Sequence, residues 1–402
     1  MNSPQTLSFG CRLNTAETAA MARLAAAGGC GADALVMNTC AVTTEAEAQA
    51  RQALRRAARE NPALRIVVTG CAATIRPEAW ARLPNVVRVL PNADKLRPEA
   101  WGAPAEAAWE MAAEAGARTR ALVQVQQGCD HHCTFCIIPQ GRGASRSLPA
   151  ERVVARIAAL VAEGVAEVVL TGVDIASWTG PAEARLGDLV AAVLAGVPEL
   201  ARLRLSSLDP AAMDATLWRL LAEQPRLLPH LHLSAQHGDD LMLKRMRRRH
   251  SRADLLALAA RARALRPDVV LGADLIAGFP TEDEAAFAAL QDLVAEAGLS
   301  FLHVFPYSPR PGTPAARMPQ VPHAVIRERA ARLRAAGQRA AERFLASRVG
   351  AREKVLLEAE DRGHSEHFAV VQLHRPVAGG RGRVVEARVT GVGPRGLLAE
   401  AA

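Results

Sequence analysis

The chain has 402 residues, of which 49 are basic and 41 acidic, and its formal net charge is +8. Half of the residues are apolar, so length and composition predict a soluble globular protein with two or three domains. The N-terminal residues lack a basic segment followed by an apolar one, which excludes a secretory signal peptide. No uninterrupted apolar stretch is long enough to span a bilayer. We therefore expect a cytoplasmic protein that does not bind membranes.

The positive charge is concentrated in two segments, 242–266 and 317–348. The first contains nine basic residues and one acidic residue, and the second contains eight and two. Such patches suit a polyanion such as nucleic acid. Solvated helix faces in an arginine-rich chain would give the same pattern, so charge alone leaves RNA binding open.

Residues 5–90 alternate short apolar strands with helical segments, which predicts a parallel α/β domain. Strands are predicted at 6–9, 34–37, 66–69 and 86–90, and helices at 14–28, 43–60 and 76–82. Cys11, Cys40 and Cys71 each follow the carboxyl end of one strand, where open parallel sheets bind ligands. These three thiols can therefore meet at one edge of the sheet. Cys30 lies outside this register and is interpreted as a small buried hydrophobic residue.

Residues 91–120 contain three prolines and an Ala/Glu-rich stretch, which predicts a linker. A second series of alternating elements follows. Strands are predicted at 121–126, 167–172, 202–207, 230–234, 269–278 and 301–306, and helices at 150–163, 186–195, 211–223, 239–248, 251–266 and 282–297. Six βα units in succession predict a partial parallel barrel with its chemistry at the carboxyl ends of the strands. A basic helix at 323–348 and a small β-barrel at 350–402 complete the predicted α/β protein.

The chain has seven cysteines, all in its first third, and an odd number without an export signal argues against disulfides. Cys129, Cys133 and Cys136 are spaced Cys-x3-Cys-x2-Cys in the loop after the first barrel strand. Three interpretations compete for this triplet. One is a thioredoxin-like pair, and another is a zinc site completed by His131 or His132. The third is a [4Fe-4S] cluster held by three thiolates, whose free iron binds S-adenosylmethionine.

An aromatic residue, Phe135, immediately precedes the last cysteine, and a barrel follows the motif. Both features resemble the radical S-adenosylmethionine (SAM) superfamily, which favours the third interpretation. The resemblance implies that Gly172 and Asp174 bind the methionine amino group, although Asp174 could instead cap a helix. It also implies that the loop containing Ser206 contacts the ribose, although the serine and aspartate residues of this loop (206–209) could instead cap the next helix. The loops at 236–237 and 278–280 are further candidates for contact with the cofactor.

Further tracts extend the resemblance over the whole chain. They are GCRLNTAE (10–17), NTCAVT (38–43), TGCAA (69–73), QGCDHHCTFCIIPQGRG (127–143), RLSSLDP (204–210), DLIAGFPTE (274–282) and HVFPYSPRPGT (303–313). Together they resemble the radical SAM methylthiotransferases. The GCRLN and NTCAVT tracts are most similar to the members that act on N6-threonylcarbamoyladenosine at position 37 of tRNA. Isopentenyl-adenosine in tRNA and an aspartate of a ribosomal protein are the alternative substrates of this family.

The resemblance implies three domains: an N-terminal methylthiotransferase domain (1–105), a radical SAM core (115–345) and a TRAM-like RNA-binding domain (346–402). It assigns a second [4Fe-4S] cluster to Cys11, Cys40 and Cys71, which would hold the sulfur to be transferred. One SAM would then methylate this sulfur, and a second would generate the radical. The implied partners are the anticodon loop of tRNA and unidentified sulfur and electron donors, and the protein is expected to be a monomer. A zinc-bearing RNA-binding module is the non-enzymatic alternative.

Two features depart from the family pattern. His237 stands in the tract LSAQHG (233–238), where the family often has LSLQSG, and it would either tune the cofactor pocket or reshape the loop. The tail at 350–402 has eight basic and seven acidic residues, so it is not strongly basic. We therefore expect RNA contacts from the helix at 323–348 and from the basic run at 244–249. One arginine of that run could instead pair with the cofactor carboxylate.

Overall fold

The computed structural model describes residues 3–105, 113–114 and 119–402. Its first unit is an open parallel α/β sheet, as the sequence predicts. The elements are β1 (Gln5–Ser8), α1 (Arg12–Ala27), β2 (Ala34–Thr39), α2 (Thr44–Glu60), β3 (Arg65–Gly70), α3 (Cys71–Ile75), α4 (Pro77–Ala81) and β4 (Val86–Val89). The strands pair in parallel in the order β1-β2-β3-β4. Apolar clusters cover both faces, with Leu54 and Trp80 in one and Met21 and Leu24 in the other.

The segment after β4 is packed against this unit, so the linker prediction is wrong over 91–105. The side chain of Lys95 is fully buried, and its ammonium group lies 2.7 Å from the carboxylate of Glu17 in α1. Trp101 ends a short 3-10 helix, Pro98–Trp101, and its indole N–H donates to the carbonyl of Lys95 at 2.8 Å. Burial of these two side chains outweighs the flexibility that the prolines suggested. The later part of the predicted linker lies largely outside the described residues.

The second unit is a partial barrel. Its elements are β5 (Ala113–Glu114), β6 (Arg120–Gln124), β7 (Gln126–Gln127), α5 (Ile138–Arg142), β8 (Arg146–Ser147), α6 (Ala150–Ala162), β9 (Glu167–Thr171), α7 (Leu186–Gly196), β10 (Arg202–Leu205), α8 (Ala215–Glu223), β11 (His230–Gln236), α9 (Asp240–Met246), α10 (Arg252–Leu265), β12 (Val270–Ala277), α11 (Glu284–Glu296), β13 (Leu299–Pro306) and α12 (His323–Ser347). Strands β6, β9 and β10 pair in parallel, as do β11, β12 and β13. Isolated parallel bridges at Leu203–Leu227 and Leu208–Leu233 join the two groups. Six parallel strands therefore follow chain order, which confirms the predicted partial barrel.

Alternation along the barrel strands separates an apolar outer face from a more polar interior. On β12, Leu271, Ala273 and Leu275 belong to the main apolar core, which also includes residues of α10 and α11. Asp274 lies on the opposite face of this strand and points into the barrel. The interior of the barrel can therefore accommodate polar groups.

The tail forms a closed five-stranded barrel, as predicted. Its strands are β14 (Arg352–Ala359), β15 (Arg362–His364), β16 (Val370–Leu373), β17 (Val384–Gly393) and β18 (Gly396–Ala401), closed in the order β14-β15-β16-β18-β17. It packs on the amino ends of the larger barrel's strands. There the guanidinium of Arg202 donates to the carbonyl of Lys354 at 2.7 Å, and Phe368 stacks on His230 with ring centroids 5.1 Å apart. The small barrel thus closes the end opposite to the strand ends that precede the cysteine motif.

Across the described ranges, we find no helix whose length and hydropathy together would suit a membrane span.

Candidate active site

Cys11, Cys40 and Cys71 lie at the carboxyl ends of adjacent strands of the N-terminal sheet. Cys11 immediately precedes α1, Cys40 follows β2, and Cys71 begins α3. Gly10 has a positive φ of 93°, and a Cβ atom there would lie only 2.5 Å from Sγ of Cys40. Glycine is therefore required for this close approach. Burial, with smaller contributions from the nearby thiols of Cys71 and Cys11, raises the pKa of Cys40 to about 11. The structure thus brings the three predicted thiols together.

Cys129, Cys133 and Cys136 lie in the loop between β7 and α5. Burial raises the pKa of Cys129 to about 11 and that of Cys136 to about 12. The neighbouring thiols of Cys133 and Cys129 contribute to the shift of Cys136. Cys129 and Cys136 are therefore thiols at neutral pH unless a metal displaces their protons.

Backbone amides two residues further along the chain point at three of the sulfurs. The amide of Val42 donates to Sγ of Cys40 at 3.4 Å, and that of His131 donates to Sγ of Cys129 at 3.4 Å. The amide of Ile138 bonds Cys136 in the same way and opposes the rise of its pKa. Such N–H···S bonds stabilise a thiolate and tune the metal clusters that thiolates hold.

The two cysteine triplets face each other across the boundary between the first two units. Gly141 of α5 lies against Cys71, so that a Cβ atom at Gly141 would be 3.0 Å from Cβ of Cys71. The side-chain amide of Asn92 donates to Sγ of Cys71 at 3.6 Å and also to the carbonyl of Gly141. The thiol of Cys71 adds to the rise in the pKa of Cys136. The structure therefore forms one site from two segments far apart in sequence.

A fully buried ionic network joins α1 to α5, the short helix that follows the second triplet. Arg142 donates to both carboxylate oxygens of Glu17, at 2.8 and 2.9 Å, and Lys95 donates to the same carboxylate at 2.7 Å. Arg142 also bonds Gln127 at 2.7 Å and Asn14 at 2.5 Å. Burial would raise the pKa of Glu17, but Arg142 and Lys95 lower it to about 2. Sequence reasoning missed this network, although Glu17 and Arg142 lie in two of the quoted tracts.

Asp174 lies beside the barrel triplet, as predicted. Its backbone amide donates to Oε1 of Gln126 at 2.8 Å, and its carboxylate accepts from the hydroxyl of Ser177 at 2.5 Å. Nε2 of His131 lies 2.8 Å from that carboxylate. Ligand atoms of Cys129, His131 and Asp174 all lie within 4.8 Å of one another. Asp174 precedes a 3-10 helix, but its carboxylate caps no backbone amide there, which removes the simple capping interpretation.

Phe135, Gly172 and Ser206 occupy neighbouring barrel loops. Phe135 packs edge-to-face on Phe279, with ring centroids 6.4 Å apart. A Cβ atom at Gly172 would lie 2.8 Å from the carbonyl oxygen of Gln126, so this loop needs glycine for its approach. Ser206 follows β10, and its amide donates to the carbonyl of Leu170 at 3.0 Å. These contacts position the loops, and the roles of the three residues toward a cofactor stay predictions.

Arg248 is the inward-facing member of the basic run at 244–249. Its side chain is only 7% exposed and bonds the carboxylate of Asp209 at 3.2 Å. It also donates to the carbonyl of Ser234 at 2.8 Å and to Sγ of Cys133 at 3.5 Å. The next arginine, Arg249, is 45% exposed. Of these two arginines, Arg248 therefore faces the site and Arg249 faces the solvent. The charge pattern of the sequence does not distinguish them.

His237 and Cys30 were the two residues whose roles the sequence left open. His237 is fully buried, its Nε2 lies 2.9 Å from the carboxylate of Glu282, and its Nδ1 accepts from the amide of Asp239 at 3.0 Å. These contacts shape the loop after β11. Cys30 is partly buried against the cluster that contains Met21, which agrees with a packing role.

Comparisons with known proteins agree with this geometry. The profile described as the radical SAM superfamily matches residues 123–294, and that of uncharacterized protein family UPF0004 matches residues 5–90. The chain is similar to the solved structure of TsrM, a radical S-adenosylmethionine methyltransferase from Kitasatospora setae, with a TM-score of 0.54. That match has 15% identity and covers 74% of this chain and 68% of the other, so it supports the fold alone.

Two curated relatives match almost the whole chain. Threonylcarbamoyladenosine tRNA methylthiotransferase MtaB of Rickettsia prowazekii (strain Madrid E) is 42% identical, over 96% of this chain and 95% of the relative. A tRNA-2-methylthio-N(6)-dimethylallyladenosine synthase of Cereibacter sphaeroides is 34% identical, over 98% and 97%. The chain therefore belongs to the radical SAM methylthiotransferase family, whose members use S-adenosylmethionine and a [4Fe-4S] cluster.

Proposed function

We propose that this protein methylthiolates C2 of N6-threonylcarbamoyladenosine at position 37 of tRNA. The observation that carries the proposal is the meeting of two cysteine triplets in one site. It is supported by the 42% identity to a relative named for threonylcarbamoyladenosine, against 34% for one named for dimethylallyladenosine. The dimethylallyl (isopentenyl) adenosine in tRNA is the second candidate substrate. An aspartate of a ribosomal protein remains the third.

Cys129, Cys133 and Cys136 would hold the [4Fe-4S] cluster of the radical SAM core. Three thiols in one loop, two of them bonded by backbone amides, suit three corners of such a cluster. When bound together with SAM, the cluster supplies a 5′-deoxyadenosyl radical that can abstract hydrogen from an unactivated carbon. The protein's own part is to orient the ligands and to exclude water from the buried thiols.

Four further residues would position the SAM of the radical core. The carboxylate of Asp174 would accept the methionine ammonium group, and Gly172 would let its loop approach the cofactor. Ser206 would contact the ribose, and Phe135 would pack beside the cluster. The guanidinium of Arg248, next to Cys133, is a candidate partner for the methionine carboxylate.

Cys11, Cys40 and Cys71 would hold a second [4Fe-4S] cluster, whose free iron would bind the sulfur to be transferred. The contacts of Gly10 with Cys40 and of Gly141 with Cys71 support this assignment, because a side chain at either glycine would occupy the space directly beside a cysteine of the triplet. Since the two triplets face each other, one adenosine bound between them would lie within reach of both the radical and the sulfur to be transferred. Neither the sulfur donor nor the electron donor is specified by these contacts.

We further propose domains at 1–105, 115–345 and 346–402, and a monomer that acts in the cytoplasm on the anticodon loop of tRNA. The tail barrel lies at the end of the larger barrel opposite to the cysteines. An RNA that contacts both the tail barrel and the cysteines would therefore pass along the side of the large barrel. Helix α12 offers exposed arginines for that path, which are Arg327, Arg332, Arg334, Arg339 and Arg343. Arg329 of the same helix is buried against Glu282 and takes no part.

The substrate assignment is tested by mass spectrometry of tRNA nucleosides from a strain that lacks the gene. We expect loss of 2-methylthio-N6-threonylcarbamoyladenosine and accumulation of the parent nucleoside. Restoring the gene should restore the product. An unchanged profile for this nucleoside would refute the substrate, and loss of the dimethylallyl derivative instead would support the second candidate.

The cluster assignments are tested by matched cysteine variants of the reconstituted protein. Cys40→Ala should still cleave SAM but should transfer no methylthio group, whereas Cys133→Ala should lose both activities. Cys30→Ala is the control, and it should keep both. Full methylthiolation by Cys40→Ala would contradict the second cluster. About eight irons per chain would support two cubanes, and one zinc without sulfide would favour the RNA-binding module.

A further inference from the structure

The interior face of the last barrel strand, β13, carries a row of aromatic side chains that is exposed at His303 and Phe305 and half-buried at Phe301. Phe301, His303 and Phe305 alternate with Leu302 and Val304, which pack against the main apolar core. The side chain of His303 is 59% exposed, and Phe305 is 37% exposed. β13 is the edge strand of the β11-β12-β13 sheet, so this row faces the opening of the partial barrel.

His303 is bonded by the carboxylate of Asp274 on the neighbouring strand β12. The same carboxylate is bonded by His232 on the next strand, β11. Nδ1 of His303 lies 3.1 Å from Oδ1 of Asp274, and Nε2 of His232 lies 3.0 Å from the same oxygen. The two imidazole rings lie 4.5 Å apart. Burial would raise the pKa of Asp274, but the two histidines hold it well below its usual range.

This arrangement decides which atom of His303 faces the opening. An ionised carboxylate only accepts, so Nδ1 of His303 carries the proton that it donates to Asp274. Nε2 of His303 is then the ring atom left for a ligand. Behind this pair, Gly272 leaves room for His232, because a Cβ atom there would lie 2.6 Å from Nδ1 of that ring. The three side chains thus present one imidazole edge to the interior of the barrel.

The row has a definite position relative to the cysteines. Phe305 pairs in register with Ile276, which packs in one cluster with Phe279 and Phe135, next to the last cysteine of the motif. His303 is two residues earlier on the strand, so it lies about 7 Å deeper in the barrel than Phe305. A base at the level of Phe305 would therefore place a substituent of a few bonds' length near His303.

We propose that Phe305 stacks on the adenine of the substrate and that His303, held by Asp274 and His232, binds the N6-threonylcarbamoyl group. The inference rests on the proposed function and names a specificity site within it. Bases displaced from RNA commonly stack on aromatic side chains. Nε2 of His303 is then an acceptor, which fits the N–H and hydroxyl donors of the threonylcarbamoyl group, whereas a dimethylallyl group offers no donor. A polar site left without its partner rejects the apolar analogue.

The test measures binding of two tRNA anticodon stem-loops to the reconstituted protein by fluorescence anisotropy. One carries N6-threonylcarbamoyladenosine at position 37, and the other carries unmodified adenosine. We expect the wild-type protein to bind the modified RNA about three- to tenfold more tightly, as one hydrogen bond of about 1 kcal/mol would give. His303→Leu should lose this preference and keep its affinity for the unmodified RNA. His323→Leu, at an exposed histidine of α12, is the matched control: any change in its affinity should be equal for the two RNAs, so the ratio of the two affinities should stay that of the wild-type protein.

Other outcomes separate this inference from the proposed function. Phe305→Leu should weaken binding of both RNAs, because the adenine is common to them. Equal affinities of the wild-type protein for the two RNAs, or an unchanged preference in His303→Leu, would overturn the specificity site. Zinc bound in addition to the iron, and lost in His303→Leu, would show that the three side chains hold a cation instead. Failure of the wild-type protein to modify threonylcarbamoyladenosine would refute the function itself, whatever the binding data show.

Discussion

Replacing Glu17 with glutamine should destabilise the interface between the N-terminal sheet and the radical SAM core. Glu17 is fully buried and neutralises two buried cations, Arg142 and Lys95, at 2.7 to 2.9 Å. A glutamine keeps the shape of the side chain but removes its charge. Arg142 would then remain charged in the interior, because a guanidinium group stays protonated even without a carboxylate partner. The variant therefore measures the electrostatic contribution of Glu17 to the stability of this interface.

The expected loss of stability can be worked out in two ways. Removing one partner of a buried ion pair typically costs about 3–5 kcal/mol. The pKa of Glu17 falls from 4.5 to about 2 on folding, and at about 1.4 kcal/mol per pH unit this corresponds to roughly 3 kcal/mol. Burial lowers the pKa of Lys95, so loss of its proton in the variant would relieve part of the cost. We therefore expect a loss of about 3 kcal/mol at neutral pH.

The sign of the pH dependence follows from the lowered pKa. Stabilisation by the Glu17 carboxylate is fully present above pH 4.5, and it is lost as the pH falls toward about 2. Wild-type protein should lose this contribution in that window, and Glu17→Gln should not. Urea unfolding of the metal-free protein at a series of pH values measures the difference.

Hydrogen exchange of the reconstituted protein at neutral pH measures the local effect. Amides of α1 and of residues 138–143 should exchange roughly a hundredfold faster in Glu17→Gln. The control is Glu78→Gln, because Glu78 pairs with Arg82 at 3.8 Å and is 86% exposed. An exposed pair of this kind contributes less than about 1 kcal/mol. Equal exchange in both variants would show that the buried network does not hold the two units together.

Three further variants test other parts of the structure. Gly141→Ala should lower the iron content of the reconstituted protein, because the new methyl group would lie 3.0 Å from a cysteine Cβ, whereas Gly391→Ala, with open space around it, should not. Arg248→Met should slow cleavage of SAM at least about tenfold, because it removes a charge-assisted contact. The control Arg249→Met, at an exposed arginine, should leave the rate unchanged. Equal rates in the two variants would place Arg248 outside the site. Phe368→Ala should make the tail barrel more easily released by limited proteolysis, since this ring stacks on the large barrel, and an unaltered digestion pattern would contradict that packing.

Local patterns in the sequence were enough to predict the strands and helices and to predict which cysteines belong to each triplet. Short apolar runs separated by helical segments predicted the ten parallel strands described in the first two units to within a few residues. Cys40 and Cys71 are at strand ends because a strand ends where its apolar run ends. The spacing of Cys129, Cys133 and Cys136 is itself a local property of one loop.

The sequence failed where a residue's role depends on a distant partner. Lys95 appeared to be part of a proline-rich linker, yet it is buried because Glu17, far away in the chain, neutralises it. Arg248 was one of several arginines in a basic run, and only the backbone at Arg247, with a positive φ of 57°, turns the chain there. Composition and periodicity carry no information on such pairings.

The sequence by itself therefore determined the two cysteine triplets, the order of the three structural units and the resemblance to a family. Only the tertiary structure decided that the triplets face each other, that a buried ionic network holds them so, and that the tail barrel closes the opposite end. The physical reason is that strands and loops are encoded by neighbouring residues, whereas these contacts join side chains that are remote in sequence. Gly141 against Cys71 and Arg142 against Glu17 are such contacts, and they turn two separate motifs into one site.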